Sequence, residues 1–295
     1  MTLPYIISSR RSKDLLANLV QDDAPILFEG IHTTYYATDL SLTGRTKLLR
    51  AHNVESDYYM KLAENTHSAL KQIYYSFEAN RLRLYERSLT VFDHILSISE
   101  QDYANHRLMY PSVRHHLISA FHSNDRVESL TGSGAYCLYH GNLSVPENIR
   151  SAHYLATEIF NQLDVPLIIA GKNPGPIVLS LQNRHIKVIA NPDENSLQKL
   201  IQEAHIHVLP SFQQTGMKLK LLNALFAGRH CIVNDTAIET RLAKTVSVAV
   251  DQHAFLQQIR DLMGRPFTIE DIMLRKEALI FYDNGLHAAA IAGLI

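Results

Sequence analysis

Cysteine is scarce in this sequence: two in 295 residues, Cys137 and Cys231, both inside apolar runs. Two are too few for a disulfide framework, so both read as buried packing residues in a reducing compartment. Neither sign of charge is in excess. With 28 basic against 29 acidic residues the formal net charge is −1, and no global field favours nucleic acid over any other partner. No apolar stretch reaches the ~18 residues of a membrane span, and the opening MTLPYIISSRRSK lacks the order of a signal peptide. These absences predict a cytoplasmic chain, at most peripheral to the inner face of a membrane. Internal repeats, low-complexity tracts, a GxGxxG or P-loop motif and a GxSxG nucleophile elbow are all missing.

What is present is a core. Hydrophobic residues make up 46% and charged residues 19%, which excludes a disordered chain, a coiled coil or a collagen-like repeat. At roughly 150 residues per domain the length predicts two. The second half has the clearer rhythm: six short β-branched runs, at 135–141, 166–171, 186–190, 205–210, 230–234 and 246–250, alternate with helical patterns. That alternation marks a parallel sheet with crossover helices. Ser144 and Glu147 read as a capping box that opens a helix running to about Leu163. Asp193 or Asn195 caps the next helix, and a third starts after Gly216 and ends near Gly228. The first half is less regular, with strands at 24–32, 46–52 and 92–99, a long helix over 64–90 and a short one over 12–20. Ser99 with Asp102 forms a second capping box. Turn formers over 119–134 place the linker there, giving domains of 1–128 and 129–295, the first undersized for a complete doubly wound sheet.

Ligands of open parallel sheets bind outside the carboxyl ends of the strands. There the sequence offers His140, Gly141 and Asn142, then Gly171 and Lys172, then PSFQQTGMKLK over 210–220. Gly216 lets backbone approach a ligand, the helix starting there offers free N–H groups, and Lys218 adds a cation in the first turn. Together they suit a diphosphate. Lys220 sits about 200° from Lys218 around the helix, so one of the two can face the ligand, and Lys218 is the choice here. The bland alternatives are an ordinary helix start with two solvated lysines and a strand-end histidine.

The ordered set YHGNLS, LIIAG and PSFQQTGMKLKLLNALFAGRHCIVND resembles the donor-binding domain of family 4 glycosyltransferases, which have the GT-B fold. RAHNVESDYY over 50–59 and ILSISEQD over 95–102 are similar to that family's acceptor-side segments. The resemblance implies an α/β protein of two Rossmann-like domains facing a cleft, with terminal helices returning toward the first. It also implies retaining transfer of a sugar from a nucleoside-diphosphate donor, with neither a cofactor nor a metal. In its terms His140, Gly141 and Asn142 lie by the donor phosphates and Lys172 near the nucleotide. Thr215, Gly216, Met217 and Lys218 meet the sugar diphosphate, and His52 approaches the transferred sugar as the catalytic-side residue. The sequence departs from the family where two glutamates are usual, at Thr215 and Asn223, and where an arginine is usual, at Asn142. Asn223 can still hydrogen-bond a ribose hydroxyl. The family's first strand and glycine-rich loop have no match before residue 24, so the first domain reads as incomplete.

The reading is therefore a hexosyltransferase acting on a glycan or lipid-linked acceptor in surface polysaccharide synthesis. A non-catalytic sugar-nucleotide binder or assembly partner of the same fold is the alternative. An epimerase would need paired carboxylates at strand ends, which are missing. Among sixteen histidines, His205 and His207 alternate onto one face as a zinc pair would, yet no Cys or carboxylate stands at ligand spacing. Arg81, Arg83 and Arg87 form a basic, partly apolar helical stretch. It is either a solvated face closed by ion pairs to Glu78 and Glu86 or, with Arg10, Arg11 and Lys13, an attachment to an anionic membrane surface.

Overall fold

A computed structural model describes residues 3–66, 68–212, 219–234 and 238–295. They form two compact units, one reaching to Ala120 and including Gly285–Ile295, the other from Phe121 to Asn284.

The first unit runs α1 (Tyr5–Ser8), α2 (Lys13–Leu19), β1 (Ile26–Glu29), β2 (Lys47–Ala51), α3 (Glu55–Glu64), α4 (Ala69–Glu86), β3 (His94–Ser97), α5 (Glu100–Met109) and β4 (Arg114–Leu117). Its four strands are all parallel and ordered β1-β2-β3-β4, a single arm without the reversal of a doubly wound sheet. Phe28 meets Phe92 edge to face at 5.3 Å over a core that includes Leu49, Leu82 and Ile95. The three expected strands are present in shortened form. Three elements were not expected: the short α1, strand β4 and helix α3. Strand β4 reads RHHL, an edge strand with no apolar run, held by the β3 ladder. Helix α3 has no cap of its own; Glu86, projecting from α4, accepts from Ser56 N at 3.1 Å and from Ser56 Oγ. That bond corrects the expected surface pairing of Glu86 with arginine: the carboxyl is buried, and burial raises its pKa. Glu78 does meet Arg81.

The second unit runs β5 (Cys137–Asn142), α6 (Pro146–Tyr154), β6 (Leu167–Lys172), α7 (Pro176–Leu179), β7 (Ile186–Ala190), α8 (Glu194–Glu203), β8 (Ile206–Val208), α9 (Leu219–Ala227), β9 (His230–Val233), β10 (Ser247–Val248), α10 (Gln252–Met263) and α11 (Ile269–Leu279). All six expected strands form, parallel, in the order β10-β9-β8-β5-β6-β7. Renumbered from β5 within the unit, this is the 3-2-1-4-5-6 order of a Rossmann sheet, with its switch point between β5 and β8. Leu138, Ala170, Ile201, Ala204 and Ala227 fill one face. Asp193, not Asn195, caps α8 through Ser196 N. The helix opened by Pro146 continues through a π turn over Leu155–Ile159 and a 3₁₀ turn to Gln162, close to the expected end. Both cysteines are buried free thiols.

Helix α12 (Asn284–Ala292) closes the chain. Ile291 and Leu294 pack on Leu48, Leu96 and Ile118 of the first unit, and Ser119 N donates to His287 Nε2 at 3.4 Å. None of the described helices is long and apolar enough to cross a membrane.

Candidate functional site

The carboxyl ends of β5 and β6 lie side by side, with Gly141 opposite Gly171 and Asn142 opposite Lys172. The two glycines have a steric reason. A Cβ built on Gly171 would stand 1.8 Å from the Gly141 carbonyl oxygen, so no side chain fits between these strands. Gly171→Ala is expected to destabilise the second unit by at least about 3 kcal/mol, since backbone cannot move aside as a flexible side chain can. Urea unfolding checks it, and a loss below about 1 kcal/mol would mean that the strands part easily.

Beyond the glycines the chain turns into α6. Asn142 Oδ1 accepts from Ser144 N at 3.1 Å and Ser144 Oγ at 2.8 Å. Asn148 Nδ2 donates to Asn142 O at 2.8 Å, which ties the first turn of the helix to the strand end. The expected capping box of Ser144 and Glu147 does not form. Ser144 is occupied by Asn142, and Glu147 reaches across to the loop after β8, where its Oε1 accepts from Phe212 N at 2.7 Å and Ser211 Oγ at 3.1 Å. Ser211 is held from its other side by Asn234, through bonds of 2.9 and 2.6 Å. Glu147 therefore fixes the approach to segment 213–218, a tertiary role that a local capping rule hides.

Lys220 supplies the cation of this corner. From the first turn of α9 its Nζ donates to Asn148 Oδ1 at 2.6 Å and Tyr139 Oη at 3.2 Å, and it lies 5.0 Å from the Tyr139 ring centroid. Lys218, the lysine favoured by the sequence argument, lies outside the described residues, as do Thr215, Gly216 and Met217. Lys172 is exposed at the end of β6.

One expectation needs correction. His140 is 3% exposed, neither ring nitrogen has a partner among the described residues, and its ring packs edge-on against His207 at 6.0 Å. Burial, helped by Lys220, lowers its pKa to about 3. A neutral, enclosed imidazole cannot bring charge to a phosphate, so His140 is a core residue. Asn223 Oδ1 accepts from Asn124 Nδ2 at 2.9 Å, which leaves its Nδ2 and a second lone pair for a further partner. The candidate zinc pair is also structural. His205 bonds Gly134 N at 3.0 Å and Leu262 O at 2.8 Å, and His207 Nε2 bonds Ile201 O at 3.0 Å.

In the first unit, His52 stands at the carboxyl end of β2, with Nε2 2.6 Å from Glu29 Oε1 at the end of β1. Arg50 approaches the same carboxylate at 3.4 Å and donates to Ser119 O at 3.2 Å. Gly30, at φ +84°, turns the chain here; a Cβ on it would lie 2.6 Å from the His32 ring. The sequence selects His52 but gives no sign of Glu29, which orients it.

The strand order of the second unit is that of a Rossmann sheet, and comparison with known proteins agrees with that fold. Residues 134–265 match the model of the family described as Glycosyl transferases group 1. An uncharacterized 44.6 kDa protein in the cps region of Klebsiella pneumoniae is 26% identical over 239 residues, covering 76% of this chain and 60% of that protein. Among solved structures, an α,α-trehalose-phosphate synthase (UDP-forming) from Burkholderia xenovorans matches with a TM-score of 0.66 at 11% identity, over 96% of this chain and 75% of that one. TarM from S. aureus, in complex with fondaparinux, α-GlcNAc-glycerol and UDP, matches with a TM-score of 0.65 at 12% identity, over 95% of this chain and 57% of that one. The fold is that of GT-B glycosyltransferases. The chain spans about three fifths of the length of the Klebsiella protein and of TarM.

Proposed function

We propose that this chain is a glycosyltransferase that moves a sugar from a nucleoside-diphosphate donor to a glycan or lipid-linked acceptor in surface polysaccharide synthesis. The observation that carries the reading is the meeting, at the switch point of the second unit's sheet, of the Gly141–Gly171 strand ends, the first turn of α6 and the Lys220 ammonium. The cps-region relative supports the polysaccharide context. UDP in the names of both solved relatives makes a UDP-sugar the donor to test first.

As the glycosidic bond breaks, negative charge grows on the leaving diphosphate, and fixed donors aimed at it lower the barrier. Lys220 and Lys172 would supply cations. The amides of Gly216 and Met217, with Thr215 and Lys218, take the sugar-diphosphate role that the family resemblance implies. Transfer proceeds with retention and without a metal, and His52, held by Glu29, serves the transferred sugar.

The test is thermal unfolding with UDP, GDP, ADP and dTDP, each with and without EDTA. One diphosphate at about 100 times its Kd should add about 2.7 kcal/mol of stability, unchanged by EDTA. Lys220→Ala should weaken that ligand by about tenfold or more, the loss expected for a hydrogen bond to a charged group. A chain that none of the four stabilises would sink the proposal. Thr215 and Asn223, standing where the family has glutamates, favour one second reading, a binder without transfer; tight nucleotide binding with neither transfer nor donor hydrolysis would establish it.

A further inference from the structure

Helix α4 carries an apolar stripe that the described residues leave uncovered. Leu70, Ile73, Tyr74, Phe77 and Leu84 are 81, 68, 44, 59 and 39% exposed. Their spacing of three, four and seven puts them on one face. Tyr5 is 61% exposed beside them, its N donating to Glu78 Oε2 at 2.6 Å.

The exposed charges of α4 share one sign. Both carboxylates of α4 are buried: Glu78 receives Tyr5 N and Arg81, and Glu86 receives Ser56. The remaining charges on the helix are Lys71, Arg81 and Arg83, followed at once by Arg87. In a chain of net charge −1 this concentration is local. The stripe also runs into a groove of about 1140 Å³ beside α2, lined by Leu16, Val20 and Leu84, with Arg11 and Lys13 along it against a single acid, Asp39. Leu84 belongs to both.

A stripe of large apolar side chains bordered mainly by exposed cations matches one environment closely, the interface of an anionic bilayer. Apolar groups enter the headgroup boundary there while basic groups meet lipid phosphates. We propose that this face of the first unit docks on an anionic lipid surface, with α4 lying flat and the α2 groove opening onto the lipids. The proposal is independent of the donor reading, since it concerns the first unit alone.

The full chain has no tryptophan, so Phe77→Trp gives a single reporter on the stripe. On vesicles of phosphatidylcholine with about one quarter phosphatidylglycerol its emission should shift to the blue and be quenched by bromolipids, with partitioning about tenfold stronger than on phosphatidylcholine alone. Salt at about 0.5 M, or Arg83→Glu with Arg87→Glu, should lower the partitioning about tenfold or more. Ile73→Glu with Phe77→Glu, both at exposed positions, should abolish co-sedimentation while circular dichroism and thermal midpoint stay unchanged. Unshifted emission on anionic vesicles would overturn the proposal, as would equal co-sedimentation of the wild type and the double-glutamate chain. So would a vesicle-independent dimer in analytical ultracentrifugation that Ile73→Glu dissolves, because the occupant would then be a second copy.

Discussion

Arg275→Leu is expected to cost the second unit about 3–5 kcal/mol, because it strips a buried set of acceptors of their donor. Arg275 is 1% exposed, and among the described residues it spends its donors on the end of α9. Nη1 donates to Leu225 O at 3.3 Å, to Ser129 Oγ at 3.1 Å and to Gly228 O, and Nη2 donates to Arg229 O. The guanidinium carbon lies 4.5 Å from the Phe267 ring centroid. The last carbonyls of a helix have no partner within it, and they form the negative end of its dipole. A buried cation answers both needs, although burial pulls its pKa below the usual arginine value. Leucine would fill the space but orphan several buried acceptors, each worth about 1–3 kcal/mol. Lysine would keep the charge and lose the fork, so Arg275→Lys should fall between. Denaturant unfolding with an unchanged slope measures both. A loss under about 1 kcal/mol for leucine would mean that water reaches these carbonyls. Because α9 carries Lys220 in its first turn, slackening its far end should also weaken nucleotide binding.

The second unit was legible in the sequence because its central strands are buried on both faces and read as continuous apolar runs, such as LIIAG over 167–171. Edge strand β4, written RHHL, has no such signal; its pairing with β3 is decided by the rest of the sheet. The same division holds at the site. Gly141, Gly171, Lys172 and His52 could be placed at strand ends from order alone. The acids could not be placed, because their partners are distant in sequence. Glu147 satisfies a capping rule on paper yet bonds Ser211 and Phe212, and Glu86 completes an ion-pair spacing yet caps α3 from 30 residues away. A polar residue at a strand end is equally ambiguous. His140 looks like a ligand and is core, whereas Lys220, set aside for its helical angle, reaches Asn148 and Tyr139.

Lowering the pH from 7 to 5 is expected to destabilise the protein steeply, and the second unit more than the first. Burial lowers the pKa of His140 to about 3 and of His106 and His230 to about 4, and it takes His207 well below the ordinary value. His106 lies in the first unit and the other three in the second. Unfolded, each titrates near 6.5. Below that pH the unfolded chain takes up protons that the folded chain refuses, so stability falls as pH drops until the folded pKa values are reached near 4. At pH 5 the loss should be about 1–2 kcal/mol for each histidine. Burial explains the refusal: it outweighs the bonds of His207 Nε2 to Ile201 O at 3.0 Å and of His230 Nε2 to Arg265 O at 2.9 Å, which by themselves favour the charged ring. His140 has no partner for either nitrogen among the described residues, and the nearby Lys220 opposes its charging. His140→Leu should therefore change stability at pH 7 by less than about 1.5 kcal/mol, as a volume-preserving core substitution does. It should also remove one histidine's share of the acid loss. Urea unfolding of both proteins at pH 7 and pH 5 gives the comparison directly. Equal losses in the two would show that water reaches the His140 ring, contrary to its burial against His207.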